Sequence, residues 1–251
     1  MKPSPTSAPW PYPRWIAHRG AGRLAPENTL AAFRLGAQQG WRMFECDVKL
    51  SADDVPFLLH DAALERTTSG RGPAGALPWS ALAQLDAGGW HSATYAGEPL
   101  PTLANVARFC LANHCLLNIE VKPSPGTGRR TGAVVAHQAA QLWRGAAVPP
   151  LLSSFETEAL QGALDGAPQL PRALLLDQWW PGWLAAARAL GCVAVVGQHR
   201  VWDAASVAQA KQAGLRCLSY TVNDQSTARR LLALGLGGLI SDRVDRFDPQ
   251  A

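Results

Sequence analysis

Short apolar runs alternate with helical patterns along almost the whole chain, and this alternation restricts the folds open to it more than any other feature. Strand-like runs fall at Trp15–His18, Met43–Lys49, Cys115–Lys122, Pro150–Ser153, Arg172–Leu176, Val193–Val196, Cys217–Thr221 and Gly238–Ile240. Between them stand helical segments, Thr29–Gln39, Leu103–Ala112, Thr131–Trp143, Glu156–Leu164, Trp183–Leu190, Asp203–Ala213 and Ser226–Leu234. Gly40, Gly191 and Gly214 directly follow three of them, where a left-handed residue ends a helix. Such alternation calls for a parallel sheet covered on both faces, and a chain that is 47% hydrophobic and only 17% charged can supply the covering. Eight such units favour closure, so the expected fold is α/β, a (β/α)8 TIM barrel. An open doubly wound sheet is the alternative. It needs a Gly-rich phosphate loop after an early strand, and His18-Arg19-Gly20-Ala21-Gly22 lacks the full spacing.

The 251 residues suit a single domain, read here as 14–248 behind a flexible Pro- and Ser-rich arm over 1–13. From about 61–102 the rhythm breaks into Gly, Pro, Ser and Thr, which predicts a small subdomain inserted after the second strand. Long excursions of this kind are often lids or binding walls. Cys46, Cys110, Cys115, Cys192 and Cys217 form no C-x-x-C pair and read as reduced, buried thiols. With no signal segment or apolar span in the sequence, the expectation is a cytoplasmic protein without stable membrane association, monomer or homodimer. The net charge of +4 permits an anionic ligand, while the lack of a Lys/Arg run argues against nucleic acid.

Charges inside two of the apolar runs point to chemistry. In Phe44-Glu45-Cys46-Asp47-Val48 and Asn118-Ile119-Glu120-Val121-Lys122, strand alternation puts Glu45 with Asp47 on one face and Glu120 with Lys122 on one face. Unpaired charges inside a sheet cost several kcal/mol, on the order of what a cation or an ion pair must compensate. A salt-bridged pair with Arg42 or Lys49 is one solution for Glu45 and Asp47, and a divalent metal is the other. Three carboxylates without clustered cysteines suit Mg²⁺ or Ca²⁺, although a histidine could complete a transition-metal site. His18-Arg19 and His60-Asp61 follow strand-like pieces near these acids, at the barrel end where reactive groups gather. Two histidines suggest one general base and one general acid, and Arg19 and Lys122 suit an anion, a set fitted to phosphodiester cleavage. His91, His114, His137 and His199 fall in the insertion or in helices and loops rather than at strand ends, and Ser153-Ser154 lacks the Gly-x-Ser-x-Gly elbow of a serine hydrolase.

Several blocks in order resemble the glycerophosphodiester phosphodiesterase family, of the bacterial cytosolic type. They are His18-Arg19-Gly20, Pro26-Glu27-Asn28-Thr29, Glu45-Cys46-Asp47-Val48, His60-Asp61, Leu64-Glu65-Arg66-Thr67-Thr68, Asn118-Ile119-Glu120-Val121-Lys122, Ser153-Ser154-Phe155, Thr221-Val222-Asn223 and Gly238-Leu239-Ile240-Ser241-Asp242. The resemblance implies hydrolysis of small-molecule glycerophosphodiesters to sn-glycerol 3-phosphate and an alcohol, with one divalent cation as cofactor. It implies Glu45, Asp47 and Glu120 as metal ligands, His18 and His60 as the acid-base pair, Arg19 and Lys122 on the phosphate, and Glu27 near the glycerol. Tyr220 stands where the family often has Trp, and so bears on the substrate pocket. The implied course is attack of a glycerol hydroxyl on phosphorus, release of the alcohol, and opening of a cyclic phosphate by water. A lysophospholipase D-like enzyme or a non-catalytic phosphodiester-binding protein are the alternatives.

Overall fold

A computed structural model describes residues 10–250. Eight parallel strands form a closed barrel: β1 (Trp15–Ala17), β2 (Met43–Leu50), β4 (Leu116–Val121), β5 (Leu151–Ser154), β6 (Arg172–Leu176), β7 (Cys192–Gln198), β8 (Arg216–Tyr220) and β9 (Gly238–Ser241). Closure is made by β1, which pairs with β9 through Trp15↔Leu239, Ile16↔Ile240 and Ala17↔Ser241 and with β2 through Ala17↔Phe44. This pairing excludes the open doubly wound sheet. A short strand, β3 (Pro56–Leu58), runs antiparallel to the end of β2 through Val48↔Leu58 and Lys49↔Phe57.

The covering helices are α1 (Leu30–Gln38), α3 (Leu103–Ala112), α4 (Gly128–Leu142), α5 (Thr157–Gly166), α6 (Trp183–Ala189), α7 (Ala204–Gln212) and α8 (Gln225–Ala233). Side chains cap several of them: Thr29 accepts from Ala32 N–H, Asp224 accepts from Thr227 N–H, and Thr102 and Asp203 each complete a capping box. Gly40, Gly191 and Gly214 have φ of +90°, +61° and +79°, the left-handed stops expected of them. The helices α4 and α5 approach closely because both are glycine at the contact. A Cβ on Gly132 would lie 1.9 Å from the Ala159 carbonyl oxygen, and one on Gly162 would lie 1.9 Å from that of Arg129.

Strand alternation divides the packing into an outer and an inner layer. Phe44, Cys46, Val48, Ile119 and Val121 join the helices in the outer core. The inner core holds Ile16, Met43, Leu151, Ala173, Val196, Leu218 and Ile240, with Tyr12 against it. Of the arm expected over 1–13, residues 1–9 lie outside the described residues; Trp10 and Tyr12 are packed, and the Tyr12 hydroxyl donates to the Pro149 carbonyl at 2.9 Å. The excursion after β3 carries α2 (Trp79–Leu82) and two single-turn 3₁₀ segments around a small core of its own, including Phe57, Leu64, Leu82 and Leu100. All five cysteines are buried and unpaired. No helix among the described residues is long and apolar enough to cross a membrane.

Candidate active site

Above the apolar inner layer, the barrel interior turns polar at the C-terminal ends of the strands. The β2–β4 register sets Asp47 beside Glu120 and Glu45 beside Asn118, so the three carboxylates meet as alternation suggested. One oxygen from each of Glu45, Asp47 and Glu120 falls within a 4.8 Å cluster, and all three residues are buried. Glu45 Oε1 and Asp47 Oδ1 are buried without a hydrogen-bond partner. Burial and the Asp47 charge raise the carboxyl of Glu45, and the same causes raise that of Glu120. Burial works the same way on Asp47, but the charges of Arg19 and Lys122 outweigh it and hold that group ionised. Hard oxygen donors, orphaned lone pairs and crowded negative charge fit a divalent cation.

The loop after β1 is shaped to reach this cluster. Arg19 and Asn28 adopt positive φ, +52° and +59°, uncommon for residues with side chains. A Cβ on Gly22 would lie 2.0 Å from the Asp242 carbonyl oxygen, so only glycine lets the loop pass the end of β9. Asn28 grips Asp47 twice: its amide donates to Asp47 Oδ2 at 2.8 Å, and its Oδ1 accepts from Asp47 N–H at 3.1 Å. Arg19 N–H donates to Glu45 Oε2 at 3.1 Å, while its guanidinium meets Glu27 Oε1 at 2.8 Å and Asp47 Oδ2 at 3.2 Å. Lys122 Nζ lies 2.8 Å from Glu120 Oε1 and 3.6 Å from Asp47 Oδ1.

Each of the two histidines rests on an aspartate. His18 Nδ1 is 2.5 Å from Asp242 Oδ1, and its Nε2 is 3.7 Å from Glu45 Oε2. Burial disfavours the imidazolium, but the Asp242 hydrogen bond and the Glu45 charge outweigh it and raise the His18 pKa. Asp242 is held at about 2, burial being overcome by the His18 hydrogen bond and charge, with Asn223 Nδ2 donating to it at 3.0 Å. His60 Nδ1 is 2.6 Å from Asp61 Oδ1. Burial lowers His60 and outweighs the attraction of Asp47. Arg66 forks onto both Asp61 and Glu27, at 2.5 and 3.0 Å to the first and 2.8 and 2.9 Å to the second.

Eight of the residues expected from the sequence therefore form one connected cluster. Tyr220 sits at its margin: its hydroxyl donates to the Leu176 carbonyl at 3.2 Å, and its ring meets Phe155 edge-on at 5.6 Å. Phe155 lies 5.7 Å from Lys122 Nζ, so the two rings form a wall beside the cations. Two clefts flank the cluster, about 460 Å³ on the His60 and Phe155 side and about 360 Å³ on the His18 and Trp90 side. The supporting roles of Asp242, Asn223, Asn28, Asp61 and Arg66 were not anticipated, although all lie in sequence blocks named above. Polar residues flanking the histidine and acidic motifs were the available signal.

The profile of the glycerophosphoryl diester phosphodiesterase family matches residues 18–246. A glycerophosphodiester phosphodiesterase of Caldanaerobacter subterraneus subsp. tengcongensis is 28% identical over 239 residues, covering 90% of this chain and 93% of that one. A glycerophosphodiester phosphodiesterase of Bacillus subtilis (strain 168) is 28% identical over 249 residues, covering 92% and 84%. Among solved structures, an Oleispira antarctica phosphodiesterase in complex with the product sn-glycerol-3-phosphate superposes with a TM-score of 0.85 at 35% identity, over 92% of this chain and 93% of that one.

Proposed function

The chain belongs to the glycerophosphoryl diester phosphodiesterase family, and on that premise we propose that it hydrolyses glycerophosphodiesters to sn-glycerol 3-phosphate and an alcohol. The observation that carries this reading is the cluster of Glu45, Asp47 and Glu120 with a carboxylate-backed histidine on either side. Those three residues would hold one Mg²⁺ or Ca²⁺. When bound, the cation supplies charge to the phosphate and lowers the proton affinity of a coordinated hydroxyl.

The remaining steps belong to the chain's own residues. Arg19 and Lys122 take phosphoryl oxygens, the first through a fork and the second as a point charge. One histidine accepts the proton of the glycerol hydroxyl next to the ester as that oxygen bonds to phosphorus. The other protonates the departing alcohol as its bond to phosphorus breaks, leaving a cyclic phosphate. Water then opens the ring with the two histidines in exchanged roles. Asp242 and Asp61 hold each ring by Nδ1 and leave Nε2 to the substrate. Glu27 fixes Arg19, and the Tyr220 and Phe155 rings border the substituent on phosphorus. We place the reaction in the cytoplasm, a setting supported by five unpaired cysteines.

A lipid-substituted diester is a second reading, favoured by the exposure of Trp90 and Phe155, 42% and 40%, beside the two clefts. The test is release of choline from glycerophosphocholine and, separately, from lysophosphatidylcholine, each in divalent cation and in chelator, with glycerol 3-phosphate identified as the other product of the first. Turnover confined to the water-soluble diester, and lost in chelator, is expected. Equal turnover in chelator would remove the cation from the reading.

A further inference from the structure

Lys49 is a buried cation that the reaction above does not use. It follows Glu45 and Asp47 on the inward face of β2, about 7 Å beyond Asp47 toward the barrel mouth. Only 3% of the residue is exposed, yet it lines the cleft shared by His60 and Phe155. Its ammonium donates to the Lys122 carbonyl at 3.2 Å. Among the described residues no carboxylate lies within 4.0 Å of it, whereas Lys122 is turned back onto Glu120 and Asp47. An ammonium has three donors, so the one hydrogen bond leaves donor capacity on the cleft side.

The cleft's other charges define what Lys49 could meet. Asp61, Glu120 and Glu156 line the same space together with Lys122, whose charge is taken up by Glu120 and Asp47, so a second anion would face carboxylates, and a quaternary ammonium would face Lys49. A neutral hydroxyl suits both signs, accepting from Lys49 and donating to a carboxylate. We propose that Lys49 forms a polyol subsite, donating a hydrogen bond to a hydroxyl on the phosphodiester substituent that extends past His60. This rests on the phosphodiesterase reading. The hydroxyl belongs either to the glycerol that stays on phosphorus or to a polyol leaving alcohol.

The experiment crosses deletion of the cation with deletion of the hydroxyl. Wild type and Lys49→Met are assayed for kcat/KM in two substrate series. In one the leaving alcohol is glycerol or its analogue without the terminal hydroxyl; in the other the retained glycerol, bonded to phosphorus through O3, is replaced by its 1-deoxy analogue, with choline as leaving group. Methionine keeps the length of the stem, and replacing a buried charge by an apolar group need not harm the fold; melting temperature checks this. In wild type, losing the contacted hydroxyl should cost roughly 10- to 100-fold, the scale of a hydrogen bond to a charged group. In Lys49→Met the same deletion should cost less than about 3-fold in that series. The series that shows this loss of sensitivity identifies the substituent. Equal hydroxyl sensitivity in wild type and variant, in both series, overturns the subsite. So does a uniform fall on every substrate, which would assign Lys49 to the phosphate or the acidic cluster. Absence of wild-type turnover on any glycerophosphodiester would instead remove the activity reading itself.

Discussion

His18 and Asp242 stand 224 positions apart and meet at 2.5 Å, because β1 and β9 are neighbours in the closed barrel. The aspartate fixes the ring and the Nδ1 proton, so its loss should act on turnover more than on substrate affinity. Asp242→Ala is expected to lower kcat by on the order of 10- to 1,000-fold, at most what the histidine itself supplies, with a smaller change in KM. Steady-state kinetics on glycerophosphocholine check this; a change in KM alone would assign Asp242 to binding.

His18→Ala and His60→Ala should each lower kcat by roughly 10²–10⁴-fold, the usual worth of a general acid or base. Circular dichroism and melting should remain close to wild type, since both side chains line the site rather than the main apolar cores. Near-normal turnover in either variant would end the acid-base assignment for that histidine.

The acidic cluster makes stability depend on pH in a way that a cation should reverse. Burial and the Asp47 charge push Glu45 from 4.5 to about 8 in the cation-free protein. Between those values the folded chain holds a proton that the unfolded chain has released. By linkage, the stability that this proton contributes is fully present below about 4.5 and is lost as pH rises through about 8. In chelator, the melting temperature should therefore fall from mildly acidic to mildly alkaline pH. Excess Mg²⁺ or Ca²⁺ should flatten the fall by replacing the proton as counter-charge. Parallel curves with and without cation would speak against metal binding by this cluster.

Arg66 ties the inserted excursion to the first loop through forks onto Asp61 and Glu27. A lysine keeps the charge but cannot reproduce two forks. Arg66→Lys should lower kcat by about 30-fold, through loosened His60 and Arg19, if each of the two lost forks costs roughly 1 kcal/mol. Unchanged kcat would reduce Arg66 to a surface ion pair.

Gly132→Ala tests the close approach of α4 and α5. Its methyl would fall 1.9 Å from the Ala159 carbonyl oxygen, so the helices must move apart. A loss of about 1–3 kcal/mol in unfolding free energy is expected from such overpacking. Chemical denaturation measures it, and kcat of the folded enzyme should be little affected.

The eight barrel strands and the three central carboxylates were legible in the sequence because both follow from local periodicity. Glu45 and Asp47 declare a shared face by spacing alone, and a glycine after α1, α6 or α7 declares its end. Asp242 and Asn28 do not announce themselves in this way. Their partners lie across the barrel seam or in another loop, and no period connects a residue after β9 to one after β1. The packing of Tyr12 beneath the barrel was equally hidden, since a Pro-rich segment carries no pattern that tells a plug from a tail. Lys49 was visible as a charge in a strand, but its separation from every nearby carboxylate is a matter of tertiary distance.

The seam between β1 and β9 has one more consequence. A folding intermediate lacking that final pairing could already hold Glu45, Asp47 and Glu120 together on β2 and β4, yet leave His18 without its aspartate. Cation uptake and turnover would then report different moments of folding. In a refolding experiment, the interval between the two signals would time the docking of the last strand.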